Sequence, residues 1–256
     1  MLSKAKTLTG YKLESIDGDI GKVKEFYFDD QHWTVRYLVA ETGGWLLGRK
    51  VLVSPYALGA LLPEKKHIEI NLTKKQIQDS PSDYSDLPVS RQFEDDYYGY
   101  YGWPMYWGGP YSWGASPYIV RDSANWREYA PDEKSTDAHL RSTHDVSGYH
   151  IQATDGEIGH IEDFILDDET WAIRYLIINT GTWWPGRKLL ISPRWVTSVS
   201  WGESKVYINH SCESIKLSPE YTEDSLINRD YEMELHRHYH RQGYWEQDRM
   251  AKEPSH

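Results

Sequence analysis

The chain contains the same segment twice, and this internal repeat constrains its fold more than any other feature. Gly10 aligns with Gly148, and the same offset of 138 residues holds without a gap as far as Pro55 and Pro193. About half of the aligned positions are identical. Such self-similarity means that one structural unit is used twice. We therefore expect two homologous domains and a function that involves both.

Each repeated segment has the pattern of short β-strands. An Asp-Gly step at Asp17, and again at Asp155, lies between two β-prone runs, which is typical of a tight hairpin. An alternating, largely apolar run follows at residues 33–40 and 171–180, and then a Gly-Arg-Lys segment that stops at Ser-Pro. About six short strands in so small a unit predict a compact β-barrel, whose closure would leave no exposed strand edge.

A short helical arm is predicted after each barrel. Polar helix-forming segments end before the Ser-Pro steps at residues 80–81 and 218–219, and further helices are predicted over residues 89–98 and 225–240. The predicted domains are residues 1–96 and 139–256, each a barrel with its arm. Residues 97–138 are predicted to link them.

The first part of this linker is unusually aromatic. Residues 97–118 contain seven tyrosines and three tryptophans, interrupted by glycine and proline, which disfavour a regular helix or strand. Two interpretations stay open. The rings pack on the barrels and hold the halves together, or they form an exposed surface that binds another protein. Residues 119–138 are polar and acidic, as expected of a linker.

Charge and composition exclude several classes of partner. The net charge is −11 and neither repeat is basic, so we expect no nucleic-acid partner. No apolar run is long enough for a transmembrane helix, which leaves only peripheral membrane association open. The single cysteine, Cys212, excludes an intramolecular disulfide. A cytoplasmic location is therefore expected.

The ordered set of repeated motifs resembles the PRC-barrel family. The motifs are Gly-Tyr, Asp-Gly-(Asp/Glu)-Ile-Gly, Phe followed by Asp-Asp, Trp-x-(Val/Ile)-Arg-Tyr-Leu, and Gly-Arg-Lys-x-Leu-x-Ser-Pro. The resemblance covers residues 10–71 and 148–209, so the chain looks like a tandem, two-copy member. It implies a mainly β fold with two small barrels, a bacterial origin and a protein-binding role. The family includes the cytoplasmic domain of the photosynthetic reaction-centre H subunit and the C-terminal domain of a ribosome-maturation factor.

Candidate partner-binding residues lie in the turn that leads to the Gly-Arg-Lys segment. They are Trp45, Arg49 and Lys50 in the first copy, and Trp183, Trp184, Arg187 and Lys188 in the second. A cation beside an indole can hold an acidic partner or a phosphate. The alternative is that one basic residue of each pair braces the barrel and the other faces solvent. Arg36 and Arg174 are expected to brace the outer face of the barrel, each paired with a carboxylate.

No arrangement typical of a catalytic site is present. A nucleophile triad, a phosphate-binding glycine loop and a Cys-x-x-Cys pair are all missing from the sequence. The Asp-Asp pairs at residues 29–30 and 167–168 are expected to be solvated turn residues. The second arm contains an alternating run of histidines, His236, His238 and His240. On a strand these three side chains would share a face and could bind a transition metal. On the predicted helix only His236 and His240 lie on the same face. We expect surface histidines, no metal, no cofactor and no catalytic residue.

The sequence therefore predicts a non-enzymatic adaptor or scaffold that binds a protein of unknown identity. Its two copies are expected to pack about a pseudo-two-fold axis, as an internal version of a homodimer. Two alternatives follow from the resemblance. The chain is an accessory to membrane electron transfer, like the H subunit, or it is an assembly factor like the ribosome-maturation protein.

Overall fold

The computed structural model describes residues 1–81, 89–107, 113, 118–119, 139–181, 184–222 and 227–252. The chain forms two compact units. The first comprises Met1 with residues 3–144 and 166–172, and the second comprises Leu2 with residues 145–165 and 173–256. Each unit is therefore completed by a short piece of the other repeat.

The two repeats contain matching elements in the same order. The first has strands β1 (Leu2–Lys4), β2 (Lys12–Ser15), β3 (Gly18–Asp29), β4 (Thr34–Glu41), β5 (Lys50–Val53), β6 (Leu58–Leu62) and β7 (His67–Ile70), and helices α1 (Ala5–Leu8), α2 (Lys74–Gln78) and α3 (Arg91–Tyr101). The second has strands β8 (Leu140–Ser142), β9 (His150–Gln152), β10 (Glu157–Asp167), β11 (Ile173–Asn179), β12 (Lys188–Ile191), β13 (Val196–Ser200) and β14 (Lys205–Ile208), and helices α4 (Thr143–Val146), α5 (Cys212–Lys216), α6 (Arg229–His238) and α7 (Tyr244–Lys252).

Each unit is organised around one sheet with the same strand order. The first sheet runs β5-β4-β3-β2-β7-β6, and β8 pairs with β3 as its seventh strand. The second sheet contains the path β12-β11-β10-β9-β14-β13. In both, the pairing of β2 with β7, or β9 with β14, is parallel, and the other neighbours on the path for which a register is given are antiparallel. The predicted mainly β fold with one small unit per repeat is confirmed.

The strands do not close into a complete ring. In the described residues, β5 is not paired with β6, and β12 is not paired with β13. The expectation of fully closed barrels is wrong on this point. A three-residue 3-10 turn, Pro55–Ala57 or Pro193–Trp195, joins these strands. The proline of this turn has no N–H to donate to a neighbouring strand. The strand after the turn, β6 or β13, pairs with β7 or β14.

Glycine permits the closest backbone approach in each sheet. Gly21 and Gly159 have φ values of +136° and +137°, a region that side-chain-bearing residues rarely adopt. A Cβ atom at Gly21 would overlap the carbonyl oxygen of Glu41, and one at Gly159 would overlap that of Asn179. The predicted Asp-Gly hairpin of the first copy is present as the antiparallel pair β2–β3.

The central strands are buried on both faces. Every residue of β4 except Glu41 is buried, and β11 is buried except at Asn179. Helix α3 accounts for part of this burial, because the ring of Tyr37 on β4 packs edge-on against Tyr97 at 5.4 Å. The helical arm therefore covers the sheet and completes the core of the first unit.

The arms differ in length from the prediction. Helix α3 begins after Ser90, whose hydroxyl accepts a hydrogen bond from the Phe93 N–H, and it ends at Gly102 with φ +67°. It therefore continues beyond residue 98, into the tract that was expected to lack helix. In the second unit α6 ends at His238 and a separate helix, α7, follows, which was not predicted. Among the helices of the described residues, none has the length and hydropathy that a membrane span needs.

The described part of the aromatic tract is largely buried. Tyr97, Tyr98, Tyr106 and Trp113 are each at most 4% exposed. Tyr100 is the most exposed ring, at 43%. These residues favour the packing interpretation for the part of the tract that the structure describes. The tract's other residues, 108–112 and 114–117, lie outside the described residues, as does most of the predicted linker.

Candidate functional site

The first candidate turn lies between β4 and β5. Its 3-10 helix, Gly44–Leu46, carries Trp45, whose indole N–H donates to the carbonyl oxygen of Ile20 at 2.9 Å. The cation over this indole is Lys74, with Nζ 5.5 Å from the ring centroid. Arg49, which the sequence placed in that role, is half-buried. Its Nε is buried and has no hydrogen-bond partner among the described residues.

A cleft of about 500 Å³ opens beside this turn. Trp45 lines it together with three charged residues, Asp19, Lys22 and Glu41. Arg49 and Lys50 do not line it. The structure thus brings Trp45 together with charged residues of β3 and β4 that the sequence did not single out.

The equivalent turn of the second unit uses its cations internally. The guanidinium of Arg187 lies 3.8 Å from the ring centroid of Trp184 and donates to the carbonyl oxygen of Ser218 at 3.0 Å. Lys188 Nζ donates to Glu162 Oε1 at 2.6 Å. The expected cation–indole contact is present here, and Lys188 braces the sheet. Trp183 lies outside the described residues.

A buried carboxylate centre in the first unit was missed from the sequence. Glu94 on α3 is completely buried, and its Oε1 accepts hydrogen bonds from Tyr37 at 3.0 Å and Tyr106 at 2.6 Å. Its Oε2 accepts from Arg91 Nη1 at 2.8 Å. The Arg91 guanidinium also lies over the Trp107 ring, at 4.3 Å. The centre fixes α3 and the segment after it to strand β4.

The second unit repeats this centre from equivalent positions. Glu232 Oε1 accepts from Tyr175 at 2.9 Å and from Tyr244 at 2.8 Å, and Oε2 pairs with Arg229 at 3.1 Å. His236 Nε2 lies 3.1 Å from the Tyr175 hydroxyl. All four members shared by the two centres are related by the offset of 138 residues. Following that offset past the barrels, to Tyr106 and Tyr244, is the signal that would have found both centres.

Burial shifts the pKa values of several groups in these centres. Burial raises the pKa of Glu94 to about 6, and Arg91 and the two hydroxyl groups oppose this rise. Burial, and then the nearby Glu94 charge, raise the pKa values of Tyr37 and Tyr106 well above their usual range. Burial likewise raises the pKa of Tyr175. The phenols therefore stay protonated and donate to the carboxylates.

A buried ion pair adjoins each centre. Arg36 is fully buried and its Nε donates to Asp29 Oδ2 at 2.7 Å, with its guanidinium 4.0 Å from the Tyr106 ring centroid. Arg174 Nη2 donates to Asp248 Oδ2 at 2.9 Å, beneath the Tyr244 ring. Both arginines pair with carboxylates as predicted. They are buried under aromatic rings rather than placed on an exposed outer face.

The Asp-Asp pair of the first copy is not a solvated turn. Burial tends to raise the pKa of Asp29, but the Arg36 charge and hydrogen bonds from His32 outweigh it, so the net pKa is lowered. Asp30 is half-buried and pairs with Arg141 at 2.8 Å. The sequence interpretation is wrong for this pair because it could not include the residues that the fold brings to it. In the second copy, Asp167 accepts local hydrogen bonds from Glu169 and Thr170, as a turn residue does.

The three histidines of the second arm point to different partners. His236 is buried and lies 3.0 Å from the carbonyl oxygen of Gln242, whereas His238 Nε2 lies 2.7 Å from that of Ser214. His240 lies beyond the end of α6, with φ +50°. Within the part of the chain that the structure describes, no group of three or more His, Cys, Asp or Glu side chains is arranged to hold a metal ion.

The contacts described above define the kind of protein that the two repeats build. Two homologous β units each fix a helical arm with an enclosed Tyr–Glu–Arg centre. The PRC-barrel domain family model matches residues 3–77 and 140–211. The chain therefore belongs to the PRC-barrel domain family, and the two matched segments confirm a tandem two-copy member. No curated protein matches the chain significantly.

Proposed function

We propose that this chain is a non-enzymatic adaptor or scaffold that binds another protein through surfaces of its PRC-barrel units. The observation that carries the proposal is how the buried ionisable groups are used. Glu94 and Glu232 each accept two phenol hydrogen bonds and contact an arginine, and these contacts fix the arms. A buried polar network of this kind rigidifies a fold, which supports a structural role for both carboxylates.

The first candidate turn is our proposed binding surface. Leu47 at its tip is 97% exposed, and the adjoining cleft offers the Trp45 ring beside charges of both signs. An indole next to charged groups suits a protein partner that buries an apolar side chain and makes polar contacts around it. The second turn contributes less, because Arg187 and Lys188 already have partners within their own unit.

Co-purification from the native host tests this proposal. We expect a specific protein to co-purify with the tagged chain. The double variant Leu47→Ser/Trp45→Ala should retain at least tenfold less of that protein. The matched control is Leu217→Ser, which changes a leucine that is 71% exposed in the second unit. A partner retained equally by all three proteins contradicts the proposed surface. Turnover of a substrate that requires Glu94 contradicts the non-enzymatic role.

Three further expectations belong to the same proposal. The predicted cytoplasmic location is tested by fractionation of native cells, which would also reveal peripheral membrane association. The predicted pseudo-two-fold packing of the copies is tested by small-angle scattering. Sedimentation with ribosomes, or quinone-sensitive association with membranes, would favour the assembly-factor or electron-transfer alternative over the adaptor role.

A further inference from the structure

The first unit is completed by a strand from the second repeat. Strand β8 pairs antiparallel with the end of β3, with Tyr27 opposite Ser142 and Asp29 opposite Leu140. The Asp30 N–H also donates to the carbonyl oxygen of His139, at 2.8 Å. Leu140 is 1% exposed. The first sheet therefore has its seventh strand only because residues beyond the predicted linker return to it.

Side chains reinforce this pairing. Arg141 Nε donates to Asp30 Oδ2 at 2.8 Å, and Ser142 Oγ donates to Glu25 Oε2. The backbone N–H of Phe26, a residue that is 0% exposed, donates to Thr143 Oγ1 at 3.2 Å. Without residue 143, that buried N–H loses this acceptor, which is costly because water does not reach it.

A second piece of the same repeat also belongs to the first unit. The Val35 N–H donates to the carbonyl oxygen of Trp171 at 2.8 Å, and the Trp113 indole N–H donates to that of Thr170 at 2.9 Å. Trp171 is 2% exposed and its ring lies 6.2 Å from that of Phe26. Val35 is itself fully buried. Residues 139–144 and 166–172 together, here called the docking segments, thus satisfy buried groups of the first repeat.

We propose that the docking segments form a self-sufficient interaction surface, through which the second repeat binds the first without a covalent connection. The partner of the first repeat is the second repeat of the same chain. Backbone pairing gives this surface its affinity, in the manner of strand addition to a sheet, and the contacts of Arg141, Thr143 and Trp171 give it specificity. The proposal stands independently of the adaptor role, since it concerns how the chain holds itself together.

Cleavage of the folded chain tests the proposal directly. A protease recognition sequence is inserted within residues 120–138, and the purified full-length protein is cut after folding. We expect the two fragments to elute as one species and to appear as one complex in native mass spectrometry. Separation into two species after cutting, or precipitation of either fragment, would overturn the proposal.

Substitutions in the cleavable chain show whether the docking segments are responsible. In the cut protein, Leu140→Asp places a charge against the buried face of β8, and we expect complete separation of the fragments. The control is Ile16→Asp in the first unit, where the isoleucine is 70% exposed, and we expect no separation. Equal retention by both cut variants would overturn the proposal.

A milder substitution keeps the test valid if Leu140→Asp prevents folding. Thr143→Val preserves shape but removes the acceptor of the Phe26 N–H. We expect the cut fragments to bind about tenfold more weakly than those of the parent protein. Unchanged affinity would show that this part of the surface does not hold the repeats together, against the proposal.

Discussion

The two units build the same carboxylate centre from equivalent residues but surround it differently. In the first, Tyr98 packs beside Tyr37 and Tyr106 in a cluster of aromatic rings. In the second, the position equivalent to Tyr98 is His236, which contacts the Tyr175 hydroxyl. The comparison shows that the carboxylate, its arginine and two phenols form the shared centre, whereas the packing around it has diverged.

The two units also differ in the carboxylate that pairs with the buried arginine beside each centre. Arg36 takes its carboxylate from Asp29 at the end of β3, whereas Arg174 takes it from Asp248 on α7. Asp167, the residue equivalent to Asp29, accepts hydrogen bonds from Glu169 and Thr170 within its own turn. A buried guanidinium must have a counter-charge. The two units show that different elements can supply it.

The largest expected loss of stability comes from breaking these ion pairs, and the loss should differ between the two units. Arg36→Ala removes the guanidinium that pairs with buried Asp29, and we expect it to lower the free energy of unfolding by about 3–5 kcal/mol. Arg174→Ala should cost less, because the Asp248 side chain is 11% exposed against 5% for Asp29. Urea denaturation of both variants measures this. Equal losses would show that the two ion pairs are energetically equivalent despite their different origins.

The shared centre predicts matched effects in the two units. Tyr37→Phe and Tyr175→Phe each remove one hydrogen bond to a buried carboxylate, which we expect to cost about 1.5–3 kcal/mol. Chemical denaturation again gives the values. The expected range of the loss in unfolding free energy is about 1.5 kcal/mol wide. If the losses of the two variants differ by more than this, the two centres are not equivalent.

The raised pKa of Glu94 predicts a pH dependence of stability in the first unit. The folded pKa of about 6 lies above the value of 4.5 for an unperturbed glutamate. The folded state therefore binds the proton more tightly, so this contribution is fully present below pH 4.5 and is lost as the pH rises through about 6. The loss amounts to about 2 kcal/mol.

The variant Glu94→Gln isolates this contribution, because its side chain does not titrate. We expect the stability of the parent protein to fall relative to Glu94→Gln by about 2 kcal/mol between pH 4.5 and 7. Thermal unfolding at several pH values measures the difference. Parallel stability profiles for the two proteins would contradict a raised pKa at Glu94.

The smallest expected effect concerns the two candidate turns. Lys188 pairs with Glu162 in the second unit, where both side chains are partly exposed, and Lys188→Met should cost only about 0.5–1 kcal/mol. In the first unit the residue equivalent to Glu162 is Lys24, so these two positions cannot form the same ion pair there. Thermal unfolding of Lys188→Met in low and high salt checks this, and the effect should shrink with salt.

Much of the fold was readable from the sequence because its signals are local. The Asp-Gly hairpins, the short strands repeated in the two copies and the short helices before Ser-Pro all depend on neighbouring residues. The candidate turns were also located correctly in the chain. The partners of their side chains were not, because Lys74 reaches Trp45, and Glu162 reaches Lys188, from separate elements.

The carboxylate centres were missed for the same physical reason. Glu94 and Glu232 look like ordinary surface residues of polar helices, and only burial against β4 and β11 turns them into structural groups. The helix over residues 89–98 was expected to end early because its aromatic residues are followed by glycine and proline. Packing of Tyr97 and Tyr98 on the sheet extends it to Tyr101.

The sequence by itself determined that one small β unit with a helical arm is used twice, since repetition, hairpin glycines and strand periodicity are written in contiguous residues. Only the tertiary structure decided where one unit ends and the other begins. Residues 139–144 and 166–172 belong to the second repeat in sequence and to the first unit in space. Backbone hydrogen bonds between strands that lie far apart in the sequence set that boundary, and the repeat pattern does not show which distant strands will pair.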